Sequence, residues 1–268
     1  DDVNARTVLY GVLQHSGVEL SAHQMIEAEQ ERWTSISQIA AEYETIAATA
    51  QRNRWTTLLD ASALTPEQVE AVLGSDAFGP LTAALRRAEA IGHDVDQLLP
   101  RIVSRRSLDG AVDLAAVLQH RVEASAKQPP GGRRRKTPRL IAGLVPEAQG
   151  DLTPEMRTAL DERRDLIETR ATELAETAIA ERAPWLRKVG QPPTGARERQ
   201  RWLQQIATIA AYRDRYGITS TSMLGAQPDN EAQRNDANRA RAAAERANQI
   251  ARSASPEAAR TSARSIGL

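Results

Sequence analysis

The chain has 268 residues, room for one large or two small domains, and 41 % of them are hydrophobic, enough to build real cores. Its 35 Lys and Arg balance its 35 Asp and Glu, which excludes a global attraction to polyanions and leaves only local electrostatic recognition. It has no cysteine, which excludes disulfides, thiolate metal sites and cysteine nucleophiles together and fits a reducing cytoplasm. No apolar run approaches the roughly 20 residues that span a bilayer, and no signal peptide opens the chain, so a soluble protein without membrane insertion is expected. Aromatic residues are 3 % of the total, so thin helices faced with Ala and Leu are expected to pack closely and bury little area each. The opening Asp1-Asp2-Val3, without a Met, suggests a piece of a longer protein.

Helical periodicity runs through almost the whole chain. Val8, Leu9, Val12 and Leu13 mark a first helix that Gly17 stops. Ser21 then caps a long spine helix whose stripe of Met25, Ile26, Trp33, Ile36, Ile39, Ala40, Tyr43, Ile46 and Ala47 extends toward Trp55, Leu58 and Leu59 with no proline to break it. Residues 1–63 form this N-terminal unit.

Residues 64–125 read as a compact subdomain of four or five helices. Thr65-Pro66-Glu67-Gln68 carries a cap, a proline at the first helical position and a capping-box glutamine, and Gly74 ends that helix. A helix started by Pro80 runs through Leu81, Ala84, Leu85 and Ala88. Another, capped by Asp94, carries Val95, Leu98, Leu99, Ile102 and Val103, and Pro100 inside it predicts a kink or a division. A last helix carries Val112, Leu114, Ala115, Val117, Leu118 and Val122.

Residues 126–151 are a connector rich in proline, glycine and arginine. Between Glu123 and Glu147 it holds Lys127, Arg133, Arg134, Arg135, Lys136 and Arg139 with no acid among them, the one concentrated field the chain can offer. Leu152-Thr153-Pro154-Glu155 then opens a long helix to about Arg182, and a helix from about Gly195 to Tyr216 returns antiparallel to it, so that 152–217 is a helical hairpin. Residues 218–268 shift to Ser, Thr, Asn, Gln, Ala and Arg. Within them Glu231–Arg252 has high helix propensity but only Ile250 as a large apolar residue, which predicts a marginal or partner-dependent helix ending in a flexible tail. The fold class is all-α: an elongated multi-helix bundle with a spine helix, a compact subdomain, a basic connector and a hairpin.

The usual signs of catalysis do not assemble. His15, His23, His93 and His120 stand singly, without the spacing that puts two imidazoles on one metal. No Gly-x-x-x-x-Gly-Lys-Ser/Thr loop occurs, and Gly131-Gly132-Arg133 lacks the spacing and the strand of a phosphate cradle. Glu42 with Glu44, and Glu27 with Glu29 and Glu31, are spaced at i and i+2, which point apart on a helix, so solvated acidic faces are favoured over acid–base work. Tyr43, Tyr212 and Tyr216 are expected to pack rather than attack. No catalytic residue, metal site or cofactor is assigned. Arg133, Arg134, Arg135, Lys136 and Arg139 are the candidate binding residues, with three readings: a solvated linker, phosphate contacts, or a protein partner. No aromatic is interleaved for base stacking, so any nucleic-acid contact there should be independent of sequence.

Several strings resemble the portion that follows the helicase part in MobF-type conjugative relaxases of actinobacteria. They are Val8-Leu9-Tyr10-Gly11-Val12-Leu13, Gly17-Val18-Glu19-Leu20-Ser21-Ala22-His23 and Ala41-Glu42-Tyr43-Glu44-Thr45-Ile46-Ala47, then Leu64 to Gln68 and Ala77-Phe78-Gly79-Pro80-Leu81. Arg139-Leu140-Ile141-Ala142-Gly143-Leu144-Val145-Pro146 and Ala211-Tyr212-Arg213-Asp214-Arg215-Tyr216-Gly217 extend the resemblance over about residues 5–217. Proteins of that family nick plasmid DNA, unwind it, and travel through a type IV secretion system to a recipient cell. Neither the nicking histidines nor the helicase motifs are matched, so the resemblance implies a non-catalytic C-terminal region. Its expected partners are the coupling protein or relaxosome proteins, with single-stranded DNA as the alternative, in the cytoplasm and then in the recipient.

Overall fold

A computed structural model describes residues 34–105, 107–108, 110–129 and 138–254. The first helix expected from Val8 to Leu13, the Ser21 cap, His15, His23, Glu27, Glu29 and Glu31, the cations Arg133, Arg134, Arg135 and Lys136, and the last residues of the tail lie outside them. Within the described residues the chain is all-α. Its helices are α1 (Ile36–Ala50), α2 (Arg52–Asp60), α3 (Pro66–Leu73), α4 (Phe78–Ala90), α5 (Val95–Ser104), α6 (Leu114–Ala126), α7 (Pro154–Ala180), α8 (Ala196–Arg215) and α9 (Glu231–Ser253). A two-stranded hairpin, β1 (Leu140–Ile141) and β2 (Val145–Pro146), pairs Leu140 with Pro146 and Ile141 with Val145.

Local chemistry starts most of these helices. Ser35, Thr65, Asp94, Asp113, Thr153 and Asn230 each occupy an N-cap and accept a hydrogen bond from the backbone N–H three residues on. Thr65 and Gln68 complete a reciprocal capping box. Pro100 lies inside α5 without ending it, because it removes one backbone donor while Leu98, Leu99, Ile102 and Val103 on either side are buried and hold the register.

The spine is not one helix. It is interrupted at Gln51 (φ −97°, ψ 2°), which closes α1 and opens α2. No proline or glycine announces the break; tertiary bonds select it. The Gln51 side chain is buried, and its Nε2 donates to the Gln149 carbonyl at 2.7 Å, an oxygen that also receives Arg54 Nη1 at 3.3 Å. The interruption lets the two segments serve different cores. Trp55, Leu58 and Leu59 of α2 pack with Val72, Leu81, Leu85, Leu99, Ile102, Leu118 and Val122 in a first core. Ile36, Ala40, Tyr43 and Ala47 of α1 pack against the hairpin and α7, α8 and α9 in a second. The compact subdomain therefore comprises α3 to α6 with α2 joined to it.

The connector is partly folded. Ile141, Leu144 and Val145 are buried in the second core. Positive φ at Ala142 (47°) and Gly143 (74°), with Leu144 N donating to Ile141 O at 3.0 Å, makes the mirror-image turn whose twist suits a hairpin. A Cβ on Gly143 would stand 2.5 Å from Thr208 Oγ1, so only glycine lets the turn sit this close to α8.

α7 and α8 run antiparallel as expected: Ala175 and Ala178 at the end of α7 meet Trp202 and Ile206 near the start of α8. A third helix packs against this pair. The helix expected over Glu231–Arg252 is formed, as α9 over Glu231–Ser253, and it is the third member of the bundle rather than a marginal segment. Ala237, Ala240, Ala243, Ala244 and Ala247 of α9 are all buried against α7 and α8. Their small size brings the helix axes close, so apolar burial comes from alanines spaced at three and four rather than from large side chains. Arg213, itself buried, fastens the intervening turn by donating to the carbonyls of Ile218, Ser220, Ser222 and Met223.

Candidate partner-binding surface

The hairpin is a node between the two cores. Arg139 N donates to Ala90 O of α4 at 2.8 Å, Ala148 N donates to the Tyr43 hydroxyl of α1 at 2.9 Å, and Arg239 Nη1 of α9 donates to Leu144 O at 2.8 Å. Arg139 is thus fixed through its backbone while its side chain is exposed, with Nη1 3.5 Å from Gln149 Oε1. Of the five cations singled out in the sequence, it is the one within the described residues; Arg133, Arg134, Arg135 and Lys136 precede it in the chain.

Beside Arg139 the hairpin and the bundle enclose an open groove of about 860 Å³. Pro138, Leu140, Ala142 and Gly143 form one wall, Ala171 and Thr172 of α7 with Leu203, Ala207 and Thr208 of α8 form the floor, and Ala242 and Arg246 of α9 form the other wall. Gln200, Gln204, Gln205 and Glu168 surround this mostly apolar strip. A narrow apolar floor with a rim of amides, Glu168, Arg239 and Arg246 suits an amphipathic segment of another protein. Lys136 lies two residues before Pro138 in the sequence.

Elsewhere the conspicuous polar residues are used internally. Asp214 accepts from Ile36 N at 2.6 Å, tying the start of α1 to the end of α8, and meets Arg170 Nη2 at 3.3 Å. Glu44 is not part of a solvated acidic face, because Arg215 Nη2 bonds it at 2.9 Å; Glu42 instead meets Arg163 at 3.6 Å. Asp236, 5 % exposed, accepts from Arg239 at 3.0 Å and from the Tyr216 hydroxyl at 2.8 Å, with Arg215 at 3.4 Å. Burial pushes the Tyr216 phenol well above its ordinary value, and the neighbouring Asp236 carboxylate pushes the same way. Tyr43 and Tyr212 are buried in the second core, as packing requires. This ionic node escaped sequence reasoning because its members come from α1, α8 and α9; the one local sign was the acid Asp236 inside an alanine stripe.

Among the described residues no group of three or more His, Cys, Asp or Glu is placed to hold a metal, and no helix is long and apolar enough to cross a membrane. Comparison with protein-family models, curated proteins and solved structures finds no match to the chain.

Proposed function

We propose that the chain is a non-catalytic docking module from the C-terminal region of a conjugative relaxase-helicase, holding a protein partner in the groove between the hairpin and helices α7, α8 and α9. The partner is the type IV coupling protein or a relaxosome component that presents an amphipathic segment with acidic flanks. The observation that carries this reading is the apolar groove whose edge, at Pro138, continues into four consecutive cations. The apolar floor suits the apolar face of such a segment, and Arg239 and Arg246 at its edge suit acidic flanks. A string that resembles the relaxase family forms one wall of this groove: Leu140, Ala142 and Gly143 of the hairpin belong to the stretch from Arg139 to Pro146.

The second reading is auxiliary contact with single-stranded DNA, favoured by the exposed Arg139 beside the basic run. Two variants separate the readings. Leu203→Glu together with Ala242→Glu should abolish binding of the purified coupling protein while leaving helix content intact. Changing Arg133, Arg134, Arg135 and Lys136 to Ala should, if they contact phosphates, lower the slope of log affinity against log salt by about 0.7 for each lost single-strand contact, up to roughly 3. An unmoved slope sinks the DNA reading. Coupling-protein binding that survives the groove variant sinks the docking reading.

A further inference from the structure

A second, much smaller space lies where the two cores meet. It measures about 20 Å³ and is lined chiefly by Arg86 and Arg87 of α4, Glu44 of α1, Arg215 of α8, and Asp236 and Arg239 of α9. One water needs about 10–15 Å³, so there is room for a single water-sized occupant and not for a phosphate group. The two carboxylates are already committed. Glu44 accepts from Arg215, and Asp236 is shared by Arg215, Arg239 and Tyr216. Arg87 is 3.5 Å from Glu123.

Arg86 is in a different position. It is 3 % exposed, and its Nε and Nη1 meet no hydrogen-bond partner among the described residues. Arginine does not lose its proton at any ordinary pH. Burial acts against the Arg86 charge and Glu44 supports it only at a distance. A buried guanidinium with unmet donors costs far more than an exposed one. Even with Glu123 included, the four arginines outnumber the three carboxylates, so the pocket carries one positive charge in excess.

We infer that this cavity binds one small monovalent inorganic anion of about chloride size, held by the free Arg86 donors between α4 and the α8–α9 pair. The anion supplies the acceptor that Arg86 lacks and cancels the excess charge. Because Arg86 belongs to the first core while Arg215, Asp236 and Arg239 belong to the bundle, a bound anion also bridges the two. Water fills the same volume and accepts hydrogen bonds but leaves the charge uncompensated.

The test is urea unfolding of the full chain in chloride, bromide, gluconate or sulfate at matched ionic strength. Gluconate and sulfate are too large for the space. In chloride at ten times its Kd, the unfolding equilibrium constant should be roughly tenfold lower than in gluconate, with saturation, and bromide should act alike. Arg86→Met should remove the difference between chloride and gluconate while the general salt effects stay. Should that variant fail to fold, chloride-35 line broadening on the wild-type protein, reversed by competing bromide, reads the same site. Equal stability in chloride and gluconate, a chloride effect that persists in Arg86→Met, or chloride-35 lines without broadening would each overturn the inference.

Discussion

Around Trp55 and Leu85, helices α2 to α6 interlock large side chains, whereas α7, α8 and α9 meet largely along alanines. The first region gains stability from area, since each buried Leu, Val or Trp removes much apolar surface from water. The bundle gains little area per residue from α9. It adds directional bonds: Asp236 with three partners, Arg213 with four carbonyls, and Asp214 with the start of α1. An alanine seam permits close approach without by itself fixing register, and the polar ties supply the register.

The largest effect that would break this comparison is removal of α9. A chain ending before Glu231 uncovers Ala175, Ile206 and Tyr212, so the bundle should lose its cooperative thermal transition and bind a hydrophobic dye, while α2 to α6 stay helical by circular dichroism. A melting point unchanged by the deletion would return α9 to the marginal helix its composition suggests. Next in size is Asp236→Ala, which takes a buried carboxylate from the half-buried Arg215 and Arg239, leaving them only Glu44 and the Leu144 carbonyl, and should cost about 3 kcal/mol in urea unfolding, where a comparable exposed change would cost a few tenths.

The two cores should also answer oppositely to side-chain size. Leu99→Ala should cost about 2–5 kcal/mol by leaving a cavity in the first. In the seam the reverse change is the damaging one: Ala243→Leu should cost about 1–3 kcal/mol by forcing α9 away from α8. The smallest effect concerns pH. The Tyr216 phenol is pushed above its unfolded value of about 10, so its contribution is fully present below about pH 10 and is lost as pH rises beyond it. Stability measured from pH 9 upward should fall, and Tyr216→Phe should fall less steeply.

Much of the first core was legible because its signals are local. Thr65 and Gln68, Asp94, and the stripe from Val95 to Val103 each specify a helix within one or two turns of chain. Thr153 and Pro154 did the same for α7. The site was legible only in part: the basic run and Arg139 stand out by charge, but nothing in the order of residues says that Leu140, Leu203 and Ala242 share a groove. The ionic node was hidden for the same reason.

By itself, then, the sequence determined the helical class, most helix starts, and the position of its one concentrated charge, because caps, prolines and three-four periodicity act over distances the chain itself sets. Tertiary structure alone decided the interruption at Gln51, the folding of the connector into a hairpin against Thr208, and the recruitment of α9. Each depends on groups some 50 to 100 residues apart in the chain becoming neighbours, or on alanines that turn from neutral to interior only when another helix lies close enough to cover them.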